Sequence, residues 1–169
     1  LSSWGMAAGI VHLFNHSIMK AVLFMAVGNM LLQRKNATLE SIAGIAKTMP
    51  WTMAAFVGGA LSLIGVPGTV GFISKWYLVK SAIDGGYWII AICILFSSIL
   101  SIIYLWRVIE AAYFKVQQPL TPLTSTEAPI SMLAPTWILL IFCVYFGLDG
   151  TKTMDVALSI ANILVRGQL

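Results

Sequence analysis

The sequence predicts an all-α protein, a polytopic transmembrane helix bundle in which one helix is discontinuous, broken by Gly and Pro. Three observations carry that expectation. Of 169 residues, 59% are hydrophobic and 9% charged, against about 25% charged in ordinary soluble domains. Stretches free of Asp, Glu, Lys and Arg cover residues 1–19, 48–74, 85–106 and 128–148, each approaching or exceeding the roughly 20 residues that cross a bilayer core. Gly65, Pro67, Gly68 and Gly71 fall together inside the second of these stretches, where a continuous helix would not tolerate them.

The first apolar segment, residues 4–32, is rich in Ala, Leu, Met, Val and Phe and ends where charge returns at Arg34-Lys35, so it reads as one long span. Residues 34–49 (RKNATLESIAGIAKTM) place Leu39, Ile42, Ile45 and Ala46 at helical spacing, which predicts a short surface helix. Pro50 and Trp51 mark the next entry, Trp being an interfacial residue. A helix cannot pass Pro67 without losing a backbone bond and meeting a clash. The expectation is therefore a helix over 52–65, a break, and a second helix over 70–83.

Tyr87-Trp88 opens and Tyr113-Phe114-Lys115 closes a further span over 87–114, an aromatic and cationic pairing typical of interfaces. Pro119 and Pro122 make 116–128 a linker, and 129–148 is the last clear span. The stretch 149–169 is an amphipathic C-terminal segment. Residues 1–115 form the main bundle, with 129–148 an additional transmembrane helix.

Composition also excludes functions. The net charge of +4 comes from ten Lys plus Arg against six acids, mostly placed between apolar runs. No basic cluster denser than Arg34-Lys35 exists, so no nucleic-acid partner is expected. Cys93 and Cys143 lie in separate apolar runs with no His or Cys at metal-ligand spacing; both read as buried core thiols, and no metal or cofactor is expected. No Ser/His/Asp set or paired carboxylate can be assembled, which argues against an enzyme. The chain opens with Leu1 and lacks the charged start and cleavage site of a signal peptide. It reads as a fragment whose preceding helices are missing.

Two features stand above this background. His12, His16 and Lys20 recur at i, i+4 and i+8 in the first span, sharing a stripe about 80° wide and about 12 Å long. Lys75 follows the Gly/Pro break directly. A Lys at the centre of an inserted helix costs about 2.5 to 3.5 kcal/mol on insertion scales, so it needs a partner, water or a purpose. His and a desolvated Lys can both exchange protons at working pH, and together the four residues read as part of a proton relay. Lys80, four residues before Asp84, reads instead as half of a surface ion pair. Gly5 and Gly9 form a GxxxG packing motif, and Ser97, Ser101 and Tyr104 share one face of their helix.

The strings HLFNHSIMKAVLF (12–24), Met49-Pro50 and LSLIGVPGTVGFISK (61–75) resemble the second half of the antiporter-like subunits. These subunits are shared by respiratory complex I, membrane-bound hydrogenases and Mrp-type cation/proton antiporters. FISKWYL (72–78) and SILSIIYLWRVIE (98–110) look closest to the Mrp-type D subunit. The resemblance implies the second of two inverted repeats, with the first repeat absent from this chain. It also implies that His12, His16 and Lys20 belong to a central relay and that Lys75 is the lysine of the broken helix. The implied activity is carriage of H⁺, exchanged for Na⁺ in an antiporter or driven by electron transfer in a quinone-reducing or hydrogenase complex. A scaffold whose polar stripe only holds helices together is the alternative from another class. The implied partners are the bilayer and other membrane subunits of a hetero-oligomeric complex, in a bacterial inner membrane.

Overall fold

The computed structural model describes residues 2–34, 36, 38–116 and 127–166. A 32-residue helix, α1 (Ser3–Arg34), is the axis of the bundle. Along it lie α2 (Pro50–Ile64) and α3 (Val70–Asp84), the two halves of the broken helix. Val22 and Leu23 face Gly59, Met19 faces Gly71, and Ser81 lies over Gly5. As α1 numbers fall, their partners' numbers rise through the break, so the halves stack end to end, antiparallel to α1.

Three further helices follow: α4 (Trp88–Phe114), α5 (Ile130–Leu148) and α6 (Thr151–Arg166). By length and apolarity α1, α4 and α5 can each cross a membrane. Their boundaries agree closely with those expected from the interfacial aromatic and charged residues. α5 follows α2: Trp137 sets its edge on Trp51, with ring centroids 5.8 Å apart, and Leu140 packs over Gly58. α6 packs Met154, Ala157 and Ala161 on Ala7 and Val11 of α1. Beside it, the Thr151 hydroxyl donates to Asp149 at 2.6 Å and Lys152 pairs with the same carboxylate at 3.4 Å. The Thr151 bond first, and Lys152 with it, hold that carboxyl below its ordinary range.

The break itself starts one step before Pro67. Gly65 ends α2 at φ 97°, and the N–H groups of Gly65 and Val66 both donate to the Leu61 carbonyl at 3.1 Å. That left-handed helix end favours Gly, which carries no Cβ penalty there. Pro67 follows a helix that has already stopped, and Gly68 turns the chain again at φ 87°.

Several sequence expectations need correction. Among the described residues of the stretch 34–49 no surface helix forms. Gly44 takes φ 70°, and its N–H donates to the Ala111 carbonyl of α4 at 3.1 Å. The chain there folds into turns and a short 3₁₀ segment (Ile45–Lys47) that bury Ile42, Ala43 and Ile45. Cys143 is buried as expected, but Cys93 is exposed. The reason is that α4 fully buries only Ala91, Leu105, Ala111 and Ala112, a narrow stripe of mostly small residues, and among the described residues Cys93 lies off that stripe. Lys80 and Asp84 are not paired; among the described residues the ion pair formed is Lys152 with Asp149. The exposed i, i+4 pair gains too little to fix two flexible side chains. Gly5 packs closely, while Gly9 meets open space. Residues 117–126 of the expected linker lie outside the described residues.

Gly71→Ala is expected to destabilise the bundle strongly. Its Cβ would collide with the Ser62 carbonyl and come within 2.9 Å of the Met19 sulfur, an overpacking that costs about 1–3 kcal/mol or more. Gly28→Ala meets only the Met132 methyl at 4.0 Å, so it should be neutral or gain up to about 1 kcal/mol of helix propensity. Thermal unfolding in detergent distinguishes the two: a fall in midpoint for Gly71→Ala and none for Gly28→Ala.

Candidate functional site

The site forms where α1, α4 and the two halves of the broken helix meet. Lys75, on the second turn of α3, turns its side chain back across the break. Its ammonium donates to the carbonyls of Leu63 at 2.8 Å and Ile64 at 3.0 Å, and to the Ser98 hydroxyl of α4 at 2.8 Å. Those carbonyls belong to the last turn of α2, which has no helical N–H to receive them. The negative end of the helix dipole lies there too, so a cation is favoured electrostatically. A Cβ on Gly65 would lie 3.3 Å from the Lys75 stem, so the glycine that ends α2 also makes room for the lysine that caps it.

α1 presents its polar residues to the same region. The Asn15 amide, buried, donates to the Val70 carbonyl at 3.2 Å, fixing the start of α3 against α1. Its Oδ1 has no partner among the described residues. His12 Nδ1 lies 3.0 Å from the Ser74 hydroxyl, beside Lys75, and Ser74 also donates to the Gly71 carbonyl at 3.3 Å. The His16 ring is next along the helix, its centroid 5.8 Å from that of His12.

Of the four residues expected to carry the chemistry, Lys75 and His12 meet through Ser74, and His16 follows His12 along α1. Lys20 lies one turn beyond His16, with its ammonium 5.9 Å from the centroid of its own helix neighbour Phe24, a cation–π placement. Of the break residues, Gly65 and Gly68 supply the left-handed turns and Gly71 the close approach of α3 to α2, with Pro67 between them. Among the described residues no group of three His, Cys, Asp or Glu side chains could hold a metal ion.

Three contributors escaped the sequence reading. Ser98 was passed over for the face of Ser97 and Ser101, which in fact donate to carbonyls of their own helix. Nothing in the sequence distinguishes neighbouring serines on an apolar helix. Asn15 sat between the two histidines, and a buried amide in a span was itself a signal. Gly147 lies against the Thr69–Val70 backbone, closer than any larger residue would allow.

A polytopic bundle whose interrupted span is closed by its own lysine defines a recognisable class of membrane protein. The chain belongs to the family described as NADH:quinone oxidoreductase/Mrp antiporter, TM, whose model matches residues 1–101. It is 39% identical over 157 residues to NADH-quinone oxidoreductase subunit N of Desulforudis audaxviator (strain MP104C), covering 86% of this chain and 31% of that protein. The fold superposes on a chain of the Mrp complex from Dietzia sp. DQ12-45-1b with a TM-score of 0.88 and 22% identity, over 95% of this chain and 38% of that one. A chain of the archaeal membrane-bound sulfane sulfur reductase matches with a TM-score of 0.81 and 25% identity, over 94% and 32%. The chain thus spans about a third of the length of these relatives. The protein is a multi-pass membrane protein with the antiporter-like fold.

Asn15→Ala should cost stability near the lower end of about 1–3 kcal/mol, because it deletes an unpaired oxygen along with the bond to Val70. Asn15→Asp loses the donor and sets a carboxylate beside the Val70 carbonyl, so it should cost more. Unfolding midpoints that rank Asp above Ala would contradict this account of the pocket.

Proposed function

We propose that the chain is part of an ion-translocating membrane subunit that carries H⁺ through a relay of His12, His16, Lys20 and Lys75. The observation that carries the proposal is the placement of Lys75, whose ammonium closes the broken helix and reaches Ser98 of α4. The Ser98 hydroxyl can accept from an ammonium and donate to a neutral amine, whereas carbonyls only accept. When Lys75 releases its proton, the bonds to Leu63 and Ile64 weaken and the bond to Ser98 can persist. Protonation and the geometry of the break are coupled in this way, and the neutral amine is ready to take a proton from the other side.

From Lys75 the route runs past Ser74 to His12, then His16, and on to Lys20 one helical turn further. Single waters can bridge neighbours about one turn apart. The stripe lies on a side of α1 where Leu13 and Phe24 are 74% and 70% exposed. We read that side as the contact with further transmembrane helices of a larger assembly, which the partial coverage of the relatives supports.

Two arrangements could drive the relay. Exchange of H⁺ for Na⁺ fits the likeness to Mrp-type sequences. The alternative is a proton-pumping arm of an NADH-quinone oxidoreductase or membrane-bound hydrogenase, with redox centres on other subunits. The 39% identity to a subunit N favours this second arrangement.

Lys75→Ala is expected to lower proton movement in sealed membrane vesicles about tenfold or more, on the scale of losing a proton-transfer group, while the complex still assembles. Both quantities must come from the same membranes, and normal transport with normal assembly removes Lys75 from the route. Lys20→Arg separates charge from proton exchange, since Arg stays protonated at all working pH. Transport should fall as it does in Lys20→Ala; full activity in Lys20→Arg would show that a fixed positive charge suffices.

A further inference from the structure

Glu127, two residues before the capping position of α5, reaches the far end of α2. Its carboxylate accepts from the Trp51 N–H at 2.8 Å and the Thr52 hydroxyl at 2.6 Å, and from its neighbour Ala128 N–H at 3.2 Å. Pro50 opens α2 without an N–H, so Trp51 carries the first unpaired donor of the helix. α2 therefore holds a carboxylate at its positive end and the Lys75 ammonium at its negative end, both matched to its dipole. The two charges are about 22 Å apart along 15 residues. At that separation, and an effective dielectric of about 20, direct attraction is worth less than about 1 kcal/mol. Any coupling between them runs through α2 as a rod.

The other end of α5 meets the break. A Cβ on Gly147 would collide with the backbone of Thr69, the residue just before α3. Between the two ends, Trp137 abuts Trp51 and Leu140 packs within 2.8 Å of the Cβ position of Gly58. α5 thus grips the start of α2 at one end and the start of α3 at the other.

We propose that α5 is a strut that sets the width of the break, with Glu127 and Gly147 as its anchors, and that Glu127 is a positioning residue for Lys75. This inference rests on the proton-route reading only for its effect on transport; the spacing of α2 and α3 is a separate quantity. If Glu127 lets go, α2 is free to shift along its axis, and the Leu63 and Ile64 carbonyls move relative to the ammonium. His12 and His16 of α1 are the other titratable groups near Lys75 and do not contact Glu127's end of the bundle.

The test uses the assembled complex in vesicles, with two readouts. One is the pH profile of proton movement. The other is labelling, by a small permeant thiol reagent, of a cysteine placed at Thr69 in a background lacking Cys93 and Cys143. Glu127→Gln keeps an acceptor and loses the charge, and Gly147→Ala pushes on the break from the opposite end. Both should shift the pH profile by about half a unit or more and change Thr69 labelling, while Glu127→Asp stays closer to the parent. A residue that only caps a helix would lower the amount of protein in the membrane and leave both readouts of the remainder unchanged, and that result overturns the proposal. Where Glu127→Gln does not reach the membrane, Gly147→Ala decides, and where neither does, Thr52→Val decides by removing one donor to Glu127. If Lys75→Ala transports normally, the route reading fails, yet the labelling still decides whether α5 sets the break.

Discussion

The bond between the Lys75 ammonium and the end of α2 is the constraint around which this bundle is arranged. In a bilayer, an unpaired backbone group costs several kcal/mol, so a helix can stop at depth only if its last carbonyls find partners. Here Leu61 receives two N–H groups from the turn, and Leu63 and Ile64 receive the ammonium. The Ser62 carbonyl faces the bare Cα of Gly71. A buried lysine alone costs about 2.5 to 3.5 kcal/mol, and an open helix end alone costs a similar amount or more. Set against each other, the two liabilities largely cancel. Gly65 then has to be small enough for the lysine stem, Gly71 small enough for α3 to approach, and α4 close enough to offer Ser98.

Much of this was legible in the sequence because a membrane makes polar residues conspicuous. Three charge-free runs fall on the helices long enough to span and the fourth on the broken helix, and the aromatic and cationic residues around 87–88 and 113–115 set the ends of α4 almost to the residue. The break was legible because Gly and Pro have fixed conformational consequences, although its first step is taken by Gly65 and not by Pro67. His12, His16, Lys20 and Lys75 stood out as ionisable residues in apolar runs. What escaped was whatever depends on a neighbour far along the chain. Ser98 matters only because α4 passes Lys75. Gly44 turned an apparently amphipathic stretch into a tucked loop because its N–H finds Ala111 of α4. Cys93 is exposed for the converse reason, since among the described residues no element covers that side of α4.

The four candidate residues do not share one environment. Lys75 and His12 are tied into the packing of the break, whereas His16 and Lys20 extend along α1 toward an uncovered side. In the proposed relay, such a gradient would let the route begin at a rigid, fully bonded station and continue along the exposed side of α1. Lys20 rests on Phe24, a contact weak enough to be given up for a better acceptor. The polar stripe would therefore be completed by whatever packs on α1, in keeping with relatives about three times the length of this chain.

The residue type at position 75 bears directly on the proposed proton route. Closing the last turn of a helix requires only a cation, and Arg would do so with more donors and a planar fork. Arg would also remain charged throughout, holding the break shut in a single state. Lys has a flexible stem that spans from α3 back to Leu63 and Ile64, and it can exist as a neutral amine. In that form it has lone-pair capacity toward Ser98 and weaker hold on the carbonyls, so the helix end and the proton become alternatives for the same atom. In the proposed relay, a lysine at this place makes the stability of the break depend on proton occupancy, a dependence that an arginine would remove.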